Sequence, residues 1–248
     1  MVIGFFLLGA IVGSFTGVVV ERLYTGHSWQ TGRSRCDSCG RTLSFFDLIP
    51  IVSWLLAKGR CRSCGSRIPI TLLLIEAVLG TLFALFFVEL GLSWSLVVML
   101  FFVSVLAVVV LYDLRHMIVP PAASTLLVLI GALFLYVQVS DLSRIGEALL
   151  VAGAIGLGFF LLYLLSKGRA MGLGDTPVAF ALSLVTYPYA FAGLLLSFWI
   201  GAVIGIVLLV LRRRGSTMGT EVPFVPFLAC GFLLSFFLQW NPFSLPLL

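Results

Sequence analysis

The sequence predicts an all-α polytopic membrane protein, with about eight transmembrane helices and a small cytoplasmic zinc-binding loop domain between the first two. Three observations carry this. Of the 248 residues, 61% are hydrophobic and only 10% charged, whereas a soluble domain has about 25% charged residues and about 45–50% apolar ones. A soluble fold of this length cannot hide so much apolar surface from water. Apolar runs also recur at the roughly 17–25 residues that cross a bilayer, and the basic residues gather on alternate connections between them.

The opening stretch, Met1 to Val20, looks at first like a signal peptide. No Lys or Arg precedes it, the first basic residue is Arg22, and no small-residue cleavage site is evident. It reads as an uncleaved first transmembrane helix. Further spans are expected at about 70–90, 93–112, 121–139 and 145–165. The apolar stretch 176–211 is too long for one span. Tyr187, Pro188 and Tyr189 interrupt it near its middle, so it reads as two helices. A last span is expected at about 222–239. The chain divides accordingly into a first helix (1–21), a loop domain (22–69) and a seven-helix core (70–248).

Charge sets the orientation. The first loop carries Arg22, Arg33, Arg35, Arg41, Lys58, Arg60, Arg62 and Arg67. Arg115, Lys167, Arg169 and Arg212 to Arg214 follow later spans. With eight spans, 14 of the 15 Lys and Arg lie on one side, and only Arg144 falls on the other. The positive-inside rule places that side in the cytoplasm and both termini outside. The net charge of +5 is thus read as an orientation signal and not as a nucleic-acid surface. The lipid bilayer is the expected partner.

The first loop is too small for a large core, and its cysteines supply a staple. Cys36 and Cys39 form one C-x2-C pair, and Cys61 and Cys64 the other, with 21 residues between the pairs. Each pair sits in an Arg-Cys-x-x-Cys-Gly unit, a weak internal repeat. Four thiolates suit one closed, structural Zn2+ site. Gly40 and Gly65 supply the open backbone of a tight knuckle. Two redox-active or disulfide pairs are the alternative, disfavoured by the cytoplasmic position. Cys230, in an apolar stretch, reads as packing.

Ten acidic residues exist. Asp37 and Asp47 fall in the loop and read as solvated. Glu89, Asp141 and Glu147 fall at the outer face. Asp113, Asp175 and Glu76 resist that dismissal. Asp113 ends the third span and Asp175 opens the sixth, both at the cytoplasmic boundary by this topology. Carboxylates at the edge of hydrocarbon are costly and usually mark function. Two that converge would share a proton, as in an aspartic protease, where one activates water and the other polarises the scissile carbonyl. The alternative is that Asp175 caps a helix while Asp113 pairs with Arg115 or His116. His27 reads as a solvated loop residue.

Several segments, in order, resemble those of the bacterial type IV prepilin peptidases, membrane aspartyl proteases with a Gly-x-Gly-Asp motif. They are Gly13 to Arg22 (GSFTGVVVER), the two cysteine pairs, Phe46 to Trp54 (FDLIPIVSW), Ile75-Glu76, Asp113 to Pro120 (DLRHMIVP), Gly172 to Asp175 (GLGD) and Glu221 to Leu228 (EVPFVPFL). The resemblance implies an endopeptidase with Asp113 and Asp175 as its catalytic pair. It would cut the short basic leader from prepilin or pseudopilin precursors at the cytoplasmic face of the bacterial inner membrane. It also implies N-methylation of the new terminus with S-adenosylmethionine, although no nucleotide-binding fingerprint marks that activity here. The family usually has Asn at Gly17, Lys at Pro177 and Gly at Val225. Two other classes are weighed against this one: an ion-coupled transporter using the two aspartates, and a non-catalytic zinc-anchored assembly protein.

Overall fold

The computed structural model describes residues 1–23, 34–36, 38–169, 171–211 and 222–240. His27, Asp37, Arg212 to Arg214 and Glu221 lie outside them. The described residues are helical and contain no strand. The helices are α1 (Val2–Arg22), α2 (Val52–Leu56), α3 (Ile70–Leu90), α4 (Trp94–His116), α5 (Pro121–Gln138), α6 (Leu142–Ser166), α7 (Asp175–Thr186), α8 (Ala190–Leu211) and α9 (Val225–Leu238). All but α2 correspond to the expected spans.

Six of them, α1, α3, α4, α5, α6 and α8, are long and apolar enough to cross a membrane. Helix α7 runs to the expected break and has 12 residues, and α9 is shorter than expected, at 14. At 1.5 Å per residue they reach only about 18 and 21 Å, against about 30 Å of hydrocarbon. Hydropathy cannot see why. Residues 222–224 are as apolar as a helix, but Pro223 disfavours helical backbone in the residue before it. The helix begins only at Val225, with Pro226 tolerated in its first turn. The expected break at Tyr187 to Tyr189 separates α7 from α8, with a cis Tyr187–Pro188 bond.

The chain forms two compact units, Met1–Leu111 and Tyr112–Leu248. In the first, α1 packs along α3. Small residues let the backbones approach: a Cβ on Gly13 would lie 2.8 Å from Glu76 Cα, and one on Gly9 would lie 2.8 Å from Phe83 Cβ. Such contacts are how helices associate in lipid, where no hydrophobic force drives them together.

In the second unit α7 is the hub, packed against α5, α6, α8 and α9. Val178, Ala179, Ala181, Leu182, Leu184 and Val185 are all buried, so α7 has no lipid-facing stripe. Leu135, Ala148, Ala152 and Leu184 form a core between α5, α6 and α7. Helices α8 and α9 close on each other through Gly193 and Gly231, and Ser197 Oγ donates across to Leu228 O at 3.3 Å. The outer face of α8, including Trp199, Val203 and Ile206, is exposed.

Candidate active site and metal centre

Asp113 lies in the last turn of α4 and Asp175 at the first position of α7. Both belong to the second unit, and both are buried, 5% and 7% exposed. They are near enough for Asp113 to act electrostatically on the Asp175 carboxylate. Each is oriented by a backbone amide. Val225 N–H, at the start of α9, donates to Asp113 Oδ2 at 3.3 Å. Gly172 N–H donates to Asp175 Oδ2 at 3.1 Å.

Two segments far apart in sequence meet here. The chain leaving α4 turns at Met117, where φ is 54°, and brings Val119 onto the Gly172-Leu173-Gly174 loop. A Cβ on Gly174 would lie 2.5 Å from Val119 Cβ. Glycine is required there because the first side-chain carbon of Val119, fixed to its backbone, occupies the space a side chain needs. Gly174 is the N-cap of α7, so Asp175 stands one position inside the helix, with its carboxylate turned back to Gly172. His116, offered above as a partner for Asp113, has its ring against Tyr112 instead, centroids 4.4 Å apart. Thr176 was not anticipated. Its hydroxyl, next to Asp175, is buried with no hydrogen-bond partner among the described residues.

In the first unit the four cysteines converge, with their Sγ atoms all within 4.8 Å of one another. Cys36 and Cys64 Sγ are 3.9 Å apart. Thiolates around Zn2+, each about 2.3 Å from it, would be about 3.8 Å apart, so the cluster could hold that ion. The repeated sequence is a repeated structure. Gly40 N–H donates to Cys36 O and Gly65 N–H to Cys61 O, at 2.8 and 2.9 Å. Both glycines take positive φ, 68° and 71°. One residue sits between the knuckles unannounced: Ser66, whose Oγ lies 3.1 Å from Cys64 Sγ and 3.6 Å from Cys36 Sγ. The Cys39 amide and the Ser66 hydroxyl bring the Cys36 thiol down to about 6, while burial and the neighbouring thiols push Cys39 up to about 11, so one thiolate of the set forms readily and the thiols beside it hold their protons more tightly.

Asp47 is more than a solvated residue. It accepts from the Ser44 amide and hydroxyl, capping a 3-10 turn at Phe45–Asp47, and pairs with Arg41 and Arg62. Asp141 caps α6 through Ser143 N–H. Glu76 is buried in α3 and accepts from Ile51 N–H at 2.6 Å.

Comparison with known proteins bears on both units. Residues 7–90 match the Bacterial Peptidase A24 N-terminal domain, and residues 100–210 match the Type IV leader peptidase family. A protein named prepilin leader peptidase/N-methyltransferase in Bacillus subtilis is 31% identical over 93% of this chain and 92% of its own length. One of the same name in Myxococcus xanthus is 33% identical over 85% of this chain, but the match spans only 64% of that longer protein. One in Pseudomonas aeruginosa is 28% identical over 90% of this chain and 85% of its own. No solved structure matches. The chain belongs to the type IV leader peptidase family.

Proposed function

We propose that the chain is an aspartic endopeptidase that removes the leader from prepilin-like precursors, with Asp113 and Asp175 as its catalytic pair. The carrying observation is the convergence of two buried carboxylates, each held by a backbone amide, from the two segments that resemble the family's aspartate motifs. One carboxylate, ionised, takes a proton from a water molecule as that water attacks the scissile carbonyl. The other, protonated, donates to the carbonyl oxygen. When the tetrahedral intermediate collapses, the C–N bond breaks and the leaving amine takes up the transferred proton. The amides of Gly172 and Val225 keep the carboxylates facing the reacting carbon.

The test is leader removal from a prepilin substrate in liposomes. Asp113→Asn and Asp175→Asn should each abolish cleavage, since the amide keeps the shape but cannot serve as the base. The double variant should be no worse than either, because the pair acts as a unit. Asp141→Asn should retain most activity. Substantial cleavage by a folded Asp175→Asn protein would return that residue to a structural role at the start of α7. The reading puts this site at the cytoplasmic face of the inner membrane and both termini outside, an orientation supported by the segregation of 14 of 15 basic residues. Reporter fusions should find Ser38 and Gly215 in the cytoplasm and Asp141 outside.

Methylation of the new N-terminus is the second activity, and one observation favours it. A cavity of about 780 Å3 lies in the first unit, between the metal cluster and the facing ends of α1 and α3. Pockets of about 300–1,000 Å3 suit small cofactors. Its lining mixes Glu21, Asp47 and Glu76 with Arg35, Arg67 and Trp54. That mixture fits S-adenosylmethionine, which carries a carboxylate, a sulfonium cation and an aromatic base. Gly17, the departure from the family's Asn, lines the same cavity. Calorimetry should detect S-adenosylmethionine binding that Arg35→Glu weakens. No heat of binding, or binding indifferent to that change, would remove the assignment.

A further inference from the structure

The loop segment from Phe45 to Leu56 has two faces. Ser53 and Trp54 turn inward and line the cavity, and Leu48 lies at its rim, 43% exposed. Phe45, Phe46, Val52, Leu55 and Leu56 do not, and they are 78%, 68%, 47%, 56% and 71% exposed. Five large apolar side chains bared within twelve residues make a patch that a water-exposed loop does not present without a partner.

A second observation fixes where the segment sits. Ile51 N–H donates to Glu76 Oε2 at 2.6 Å. Ile51 has φ 64°, an unfavourable value for a β-branched residue, and the hydrogen bond to a carboxylate holds it there. Glu76 is six residues into α3, about 9 Å along the helix from Ile70. The 21 residues of α3 extend about 32 Å, the thickness of the hydrocarbon core. On the same helix Ile70, Leu74 and Val78, spaced four apart, form an exposed apolar row. The tether therefore carries the segment below the level at which α3 begins, the level at which the opposite face of the helix already shows its exposed apolar row. Lys58 follows directly and is exposed, and anionic lipid attracts such basic side chains.

The geometry points to Phe45–Leu56 as an interfacial wedge. Its apolar face is embedded at the headgroup–acyl boundary of the bilayer, its other face roofs the cavity, and Glu76 sets its depth. The metal cluster is then held against the membrane and does not hang free on the loop. Interfacial elements of this kind bury their apolar face about 5–10 Å deep, which matches the depth of the tether.

The test uses the full chain in vesicles of phosphatidylethanolamine and phosphatidylglycerol. A photoreactive benzoylphenylalanine replaces Phe45, Phe46 or Leu55 in separate proteins, with Ser63, exposed between the second pair of cysteines, as the aqueous control. Metal content reports folding. After irradiation, mass spectrometry should find phospholipid adducts at all three positions at least tenfold above those at Ser63. Adduct yields equal to the control would overturn the proposal. So would lipid adducts that vanish when a prepilin is added and are replaced by cross-links to it, which would make the face a docking site for the substrate's apolar helix. Neither readout requires cleavage, so the result is independent of the proteolytic assignment.

Discussion

Gly174 is the position where a single methyl group tests the geometry of the site. Its backbone is ordinary right-handed helix, φ −65° and ψ −23°, which any L-residue adopts. Gly174→Ala therefore introduces no conformational strain. What it introduces is a carbon 2.5 Å from Val119 Cβ and 3.0 Å from Val119 Cγ2. Carbon atoms rest about 3.5–4.0 Å apart, so the two strands of chain must separate by about 1 Å. Rotating Val119 cannot relieve this, because its Cβ moves only with the backbone. The displacement passes to the next residue, Asp175. Overpacking of this kind costs about 1–3 kcal/mol of stability, and misplacing a catalytic group by about 1 Å costs on the order of 100-fold in rate. Leader cleavage by Gly174→Ala should fall by about that factor, with metal content and membrane insertion unchanged. Adding Val119→Gly removes the opposing carbon and should recover most of the loss, a coupling measurable by a double-mutant cycle. Wild-type cleavage by Gly174→Ala would refute the reasoning, since it would mean that the loop can move without moving the chemistry.

Two further outcomes are expected. The purified protein should carry about one Zn2+ per chain, lost in Cys36→Ser/Cys61→Ser and kept in Cys230→Ser; elemental analysis that finds full zinc in the double variant would reject the four-cysteine site. Asp47 is held below the usual carboxylate value of 3.8 by the Ser44 amide, then the Ser44 hydroxyl, then Arg41 and Arg62. A depressed carboxylate stabilises above its unfolded pKa, and that stabilisation is lost as pH falls through the folded value. Asp47→Asn should therefore raise hydrogen exchange across residues 38–69 at pH 7, with the difference from wild type narrowing below about pH 4; a constant difference down to pH 3 would show that the carboxylate's charge is not what matters.

What the sequence made legible follows from the kind of signal each feature leaves. Spans are written in hydropathy, and α3 begins and ends where its apolar run does, at Ile70 and Leu90. The cysteine cluster is written in spacing, since two C-x2-C pairs followed by glycine leave few arrangements. The aspartate pair was only half legible. Chemistry marked Asp113 and Asp175 as unusual, but resemblance to a family was needed to join them. Partners that act through the backbone leave no mark at all. The amides of Gly172, Val225 and Ile51 each hold a carboxylate, and no residue type announces a backbone donor. Ser66 and Thr176 were missed for a related reason, because one hydroxyl among many has no pattern. Apolar composition also overstated α9, where proline set the helix start.

The same distinction between side chain and backbone explains which departures from the family pattern the fold can absorb. Val225 stands where glycine is usual, and it is the residue whose amide meets Asp113. A contact made by N–H survives a change of side chain, provided the backbone path is kept and the new side chain finds room. Val225 is fully buried at the start of α9, where helical φ and ψ suit any L-residue. Pro177 falls in the first turn of α7, where a missing N–H leaves no helical bond unmade. Gly17 is a different case. It lines the cavity, and a Cβ there would lie 2.7 Å from Leu72 Cδ2, the end of a flexible side chain that can turn aside. An Asn would therefore fit, and its absence removes an amide from the cavity wall, not a structural support. Gly17→Asn should leave folding and cleavage intact and alter only what the cavity binds, read as a changed affinity for S-adenosylmethionine in calorimetry. A Gly17→Asn protein that failed to fold or to cleave would show instead that close packing of α1 on α3, and not the cavity, selects glycine at this position.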